Sequence, residues 1–175
     1  VVADWYLGHM YRTGRGVPQN DRKAFSYYTR VAEQFDPDEE SSNRRRIMVD
    51  AQLRLADYYR KGVPDAGIER NYARAYSMYL RFGTGFGHPA AFFGLGTMNI
   101  NGQGVNRNPR QGLKWMMAAA RKRYAPAEAF MGDAYWTGRL VAQDRTRAVM
   151  YYILAAQSAN ALENPGIFDR LELMR

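Results

Sequence analysis

The chain has no cysteine and only two histidines in 175 residues. The first absence excludes disulfides, thiol catalysis and cysteine-bound zinc or iron–sulfur clusters, and is compatible with cytoplasm and periplasm alike. His9 and His88 lie far apart, and neither has a His-x3-His or Glu-x-x-His partner, so no metal site is expected. No run approaches the roughly 18 apolar residues that a membrane helix requires, so no membrane insertion is expected. Acids are also scarce: 17 Asp and Glu against 25 Lys and Arg give a formal charge of +8. That excess favours association with acidic partners and says little about fold. Nucleic acid is not expected among them. The cations are spread over the length, and the clusters Arg44-Arg45-Arg46 and Arg121-Lys122-Arg123 read as solvated helix ends.

Recognisable catalytic sets are missing too. Gly14-x-Gly16, Gly83-x-Gly85-x-Gly87, Gly94-x-Gly96 and Gly102-x-Gly104 follow no strand pattern and lack the Gly-Lys-Ser/Thr of a phosphate loop. Glu39-Glu40 reads as a solvated run and not as a carboxylate pair at catalytic separation. No nucleophile, base and orienting group can be nominated together, so we expect neither an enzyme nor a cofactor.

What is present is a repeat. Leu7-Gly8-His9-Met10-Tyr11-Arg12-Thr13-Gly14-Arg15-Gly16-Val17, with Lys23-Ala24 and Ala32 after it, returns three times. Leu55, Tyr59 and Gly62 lead to Ala75 and Tyr79. Leu95, Gly96, Gly102, Gly104 and Val105 lead to Gly112 and Ala120. Gly132, Tyr135, Gly138 and Val141 lead to Ala148, Tyr152 and Ala156. Taking Ala3, Ala51, Ala91 and Ala127 as starts, the steps are 48, 40 and 36 residues, the longer ones carrying insertions. Periods of this size belong to stacked supersecondary units.

Each unit reads as a helical hairpin. Ala3, Leu7, Met10 and Tyr11 recur at i, i+4, i+7 and i+8, one helix face. Gly8 interrupts that stripe at a cost of about 1 kcal/mol, which points to close contact with the partner helix. Gly14-Arg15-Gly16 stops the helix, and a second one starts near Asn20 or Asp21. Ala24, Ala75, Gly112 and Ala148 share a position where small side chains let helices approach. Tyr28, Tyr79, Met116 and Tyr152 line the neighbouring one and are expected to fill the gap between consecutive hairpins. The expected fold is all-α, an α-solenoid of four helix–turn–helix repeats at about 3–34, 51–82, 91–121 and 127–157. A closing helix within 164–175 would use Phe168, Leu171 and Met174. Residues 35–43 are expected to be an exposed acidic loop, 64–69 a lengthened turn, and 82–89 a hinge.

The spacing A-x3-L-G-x2-Y-x2-G-x-G-V, then K-A and a Tyr or Trp before paired alanines, resembles the Sel1-like repeat, a relative of the tetratricopeptide repeat. The copies depart at Ala56 for the helix Gly, at Asn99 for the Tyr, at Gly112 for the small Ala, and at Leu140 for the second turn Gly. Leu55-Ala56-Asp57-Tyr58-Tyr59-Arg60-Lys61-Gly62-Val63-Pro64-Asp65 and its flanks are similar to the ExoR-type periplasmic regulators. That resemblance implies an exported protein that binds and restrains a membrane sensor histidine kinase controlling exopolysaccharide and motility. It also implies a leader beyond this sequence, which opens on the first turn of a repeat, and the chain is expected to continue past Arg175. A cytosolic scaffold and a cell-wall-binding protein are the alternatives.

A partner would meet the first helices, which usually line the inner surface of such stacks. With Ala3, Leu7, Met10 and Tyr11 facing the core, Tyr6, His9 and Thr13 point away. Their counterparts are Arg54, Asp57 and Lys61; Gly94, Thr97 and Asn101; then Phe130, Asp133 and Thr137. Tyr6, Arg54 and Phe130 are the leading anchors, because aromatics and Arg dominate interface energies. Tyr6 and Phe130 equally suit covering a neighbouring helix, and Trp5, Trp115 and Trp136 read as interhelical packing.

Overall fold

Four polar residues open the second helix of each repeat in the same way. The Asn20, Asn71, Asn108 and Asp144 side chains accept from the backbone N–H groups of Lys23, Arg74, Gln111 and Arg147 at 2.9, 2.9, 3.0 and 2.9 Å. Each such cap contributes about 1 kcal/mol by satisfying a donor that the helix cannot. The caps' own N–H groups donate to the carbonyls of Tyr11, Tyr59, Asn99 and Tyr135 in the preceding helix, at 2.7–3.0 Å. The cap therefore starts one helix and fixes it to its partner.

The computed structural model describes residues 1–159 and 164–173. Its helices are α1 (Val2–Thr13), α2 (Asp21–Ala32), α3 (Ser42–Lys61), α4 (Tyr72–Thr84), α5 (Pro89–Asn101), α6 (Pro109–Arg121), α7 (Ala125–Thr137), α8 (Arg145–Ser158) and α9 (Pro165–Leu173), with a short 3-10 turn at Pro64–Ala66. Among the described residues the only β pairing is an isolated bridge between Val63 and Ile68. The all-helical repeat fold of the α-solenoid class is thus the one observed. The chain forms two compact units, Val1–Phe82 and Gly83–Arg175, with the boundary in the last turns of α4.

In the first unit, α1 pairs with α2 and α3 follows on α2. Tyr28, Val31, Met48 and Ala51 form the centre of its core, all buried. In the second unit, α5 pairs with α6 and α7 with α8, around Met116, Ala119, Ala127 and Met131. Helix α9 lies on α8 and buries Ile167 with Ala125 and Ala155.

Glycine in the first helix makes the pairing tight. A Cβ built on Gly8 would stand 2.8 Å from Tyr28 Cε1, and one on Gly132 would stand 2.4 Å from Tyr152 Cδ2. In the third repeat the ring is replaced by Met116, whose Cε and Cγ would lie 3.0 Å from a Cβ on Gly96. Gly112 is equally constrained from the other side, at 2.4 Å from Ile100 Cγ1. The small side chains expected from sequence are therefore close-contact sites.

The turns are left-handed where glycine was expected to stop a helix: Gly14, Gly102 and Gly138 cap α1, α5 and α7 with φ of 73°, 69° and 71°. Two residues on, Gly16 and Gly104 also have positive φ, and in the fourth repeat Leu140 takes the same conformation at φ 74°. A left-handed residue with a Cβ costs about 1–2 kcal/mol. Between α6 and α7, Arg123 at φ 60° donates to the Glu128 carboxylate at 2.7 Å, and Glu128 is 1% exposed.

Several expectations are corrected. Ala3 is exposed, whereas Ala51, Ala91 and Ala127 are fully buried. The insertion at 35–43 is a shorter loop than expected: α3 starts at Ser42, capped by Ser41, and buries Ile47 and Met48 before the repeat begins at Ala51. The 82–89 junction is partly helical, since α4 continues to Thr84; His88 then caps α5 through Nδ1, 3.3 Å from Ala90 N. In α9 the buried residue is Ile167 and Phe168 is exposed, while Met174 lies outside the described residues.

Two substitutions test these contacts. Gly132→Val should lower stability by about 3 kcal/mol in urea unfolding, since the overpacked atoms meet a buried ring; an unchanged midpoint would contradict the contact. Leu140→Gly should raise stability by about 0.5–1 kcal/mol, the relief of left-handed strain less the added entropy of the unfolded chain.

Candidate partner-binding strip

The strip residues of the first unit gather around a carboxylate that the repeat pattern does not mark. Asp50, on α3 one residue before Ala51, accepts from Trp5 Nε1 at 2.7 Å and contacts His9 Nε2 at 3.2 Å, both through Oδ2. Its Oδ1 pairs with Arg54 Nη2 at 3.3 Å. Burial alone would push the Asp50 carboxyl up, but the His9 hydrogen bond, the Arg54 charge and the Trp5 indole outweigh it and hold the carboxyl well below its usual range. Three side chains from α1 and α3 are thereby locked into one seam.

His9 is accordingly not outward-facing as expected. It is half-buried, edge-on to Trp5 with centroids 4.4 Å apart and to Tyr28 at 5.6 Å. Tyr28, whose hydroxyl is pushed up to about 12 by burial, closes the floor of this seam. Tyr6 does face solvent, at 59% exposure, with its ring against the edge of Trp5. One turn along α3, Asp57 pairs with Arg60 at 2.7 Å and Lys61 at 2.8 Å. Burial would raise the Asp57 carboxyl, and the Lys61 and Arg60 partners bring it below its usual range.

In the second unit Gly94 is buried, Thr97 and Phe130 are half-buried, and Asn101 is exposed. Thr97, Thr13 and Thr137 turn their hydroxyls to the carbonyl four residues back, at 2.9, 2.7 and 2.7 Å. Asp133 meets a residue that sequence reasoning missed: Arg170 of α9 donates to its Oδ1 from Nη2 at 2.7 Å and from Nε at 3.2 Å. The same Nε lies 3.3 Å from the Tyr152 hydroxyl. Arg170 lies on α9, beyond the four repeats, so the repeat spacing carried no signal for it. Asp50 did carry a signal, four residues before Arg54 on one helix face.

The strip can bind through an exposed ring, charged groups and hydrogen-bonding side chains. Among the described residues no hydroxyl or thiol side chain hydrogen-bonds His9, so the Asp50–His9 contact lacks a nucleophile, and no three His, Asp or Glu residues are grouped to hold a metal. Among the same residues no helix is long and apolar enough to cross a membrane. The Trp residues behave as packing groups in part: Trp115 stacks on Phe92 at 5.4 Å, while Trp5 is a hydrogen-bond donor to the seam.

Comparison with known proteins follows this geometry. The model of the Sel1 repeat matches residues 1–34, 49–83, 89–124 and 125–160. Two curated relatives, each named exopolysaccharide production negative regulator, come from Rhizobium meliloti and Rhizobium leguminosarum bv. viciae. Both are 34% identical over 130 residues, which is 74% of this chain and 47% and 48% of theirs. The chain thus spans about half the length of the curated relatives it matches. A solved structure, a Sel1 repeat protein from Oxalobacter formigenes, superposes with a TM-score of 0.63 at 28% identity over 91% of this chain and 59% of the other.

The Asp50 seam has a measurable consequence. A carboxyl lowered in the folded state adds stability above its unfolded value, near 3.8, and that stability is lost as pH falls below it. Asp50→Asn should cost about 2 kcal/mol at neutral pH, and stability of the variant should fall less steeply than wild type below pH of about 4. Parallel pH profiles would contradict the seam.

Proposed function

From the premise that the chain belongs to the Sel1 repeat family, we propose that it is a non-catalytic interaction module of a regulator that acts by holding another protein. The observation that carries this reading is the conjunction of four hairpins, polar and aromatic groups on their first helices and, among the described residues, no assembled catalytic set. The likeness to negative regulators of exopolysaccharide production supports a restraining role. On this reading residues 1–175 act as one Sel1-like domain in the periplasm. The partner is the extracytoplasmic domain of a sensor histidine kinase controlling exopolysaccharide and motility, and Tyr6, His9, Arg54, Asp57, Lys61, Thr97, Phe130 and Asp133 form the contact.

Energy at such a surface concentrates in few residues. Tyr6 is exposed and Lys61 projects at the end of α3, so both can be truncated without opening the core. Tyr6→Ala and Lys61→Ala should each weaken binding to the purified sensor domain by about tenfold, with unchanged circular dichroism. Wild-type affinity in both variants would remove the strip from the interface, and absence of any binding by the wild type would remove the partner.

A further inference from the structure

We propose that the turn of the fourth repeat, Arg139–Leu140 with Arg145, is a second docking surface, and that its occupant is an acidic segment of a protein carrying an apolar side chain. This surface is separate from the first-helix strip and does not depend on it.

The first observation is the backbone at Leu140. It adopts φ 74° at the position where Gly16 and Gly104 adopt 73° and 71°, and its side chain is 39% exposed. A leucine there is strained and packs into no core cluster among the described residues. Local strain that no internal contact offsets marks a candidate contact site.

The second observation is the charge around it. Arg139 precedes Leu140 in the turn and Arg145 opens α8 five residues on, both exposed and in no ion pair among the described residues, as are Arg107, Arg110 and Lys114 of the preceding hairpin. Asp144 is the acid of this turn, and it is already engaged. Its Oδ1 caps Arg147 N at 2.9 Å and its Oδ2 pairs with Arg147 Nε at 3.3 Å. Arg145 is steadied by a ring instead of a carboxylate, its guanidinium 4.8 Å from the Trp136 centroid. A guanidinium held this way keeps its N–H fork available for a carboxylate and has less side-chain entropy to lose on binding.

The nearby aromatic faces decide between anionic partners. Tyr135 stacks on Tyr151 at 5.7 Å and 12°, and Arg147 lies over Tyr135. Single-stranded nucleic acid needs free ring faces for base stacking, and these are engaged. Carboxylates of a peptide need only the donors, and an apolar side chain between them would meet Leu140.

The test uses a fluorescein-labelled oligoglutamate peptide with a central leucine, and a second with glycine in its place. Oligothymidylate and phosphatidylglycerol vesicles are the competing anions. Arg139→Glu with Arg145→Glu should weaken binding of the leucine peptide by about tenfold or more, and added salt should weaken wild-type binding. Leu140→Gly should weaken it by about threefold, leave the glycine peptide unaffected, and raise the unfolding midpoint. A merely structural Leu140 would raise the midpoint and leave both affinities unchanged, which overturns the proposal. So would wild-type affinity in the double variant, no binding of the leucine peptide, or tighter binding of oligothymidylate or vesicles.

Discussion

In three of the repeats a first-helix residue without a side chain stands directly against a bulky residue on the second helix. Gly8 meets Tyr28, Gly96 meets Met116 and Gly132 meets Tyr152, each near enough that a Cβ would press on its partner. In a helix interior glycine is unfavourable by about 1 kcal/mol, so the tyrosine packing must more than offset it. The contact fixes both the distance between paired helices and their rotation, because only one face of the first helix carries the gap. The second helix is held again at its start, where an Asn or Asp caps it and its N–H reaches the first helix's carbonyl.

With that face committed, the opposite side of each first helix is left to polar chemistry. In the first unit the seam between α1 and α3 is closed by Asp50, which satisfies Trp5, His9 and Arg54 together. In the second unit Arg170 of α9 plays the converse part toward Asp133 and Tyr152. Buried tyrosine rings under these seams and charged groups above them form one continuous arrangement from core to surface. In each unit these side chains are held in place by the same packing that makes the hairpins.

Much of this was legible in the residues. The repeat register marked Gly8 as a close-contact site and Ala24 as a small-residue position, and the glycine pattern located the helix stops, because these depend on local sterics that recur with the period; Tyr28, expected between consecutive hairpins, packs on Gly8 within one. What escaped depended on neighbours outside one repeat. Ala3 fits the core pattern yet is exposed. His9 sits at an outward position by periodicity, yet the indole and carboxylate supplied by Trp5 and Asp50 draw it into the seam. Leu140 was visible as a departure from the turn pattern, whereas its left-handed backbone emerges only from the geometry. In α9 the apolar residues did not reveal which would be buried, since Ile167 and Phe168 are adjacent and the position of Ala125 and Ala155 decides between them.

We propose that the first-helix surface, held by the glycine–tyrosine contacts, is where a partner binds. Amide hydrogen exchange of the chain, alone and saturated with the sensor-kinase domain, tests it most directly, because exchange reports burial segment by segment. The claim predicts added protection in α1, in the part of α3 around Asp50 to Lys61, and in α7. Protection confined to the second helices α2, α4, α6 and α8, with the first helices exchanging as in the free chain, would contradict it.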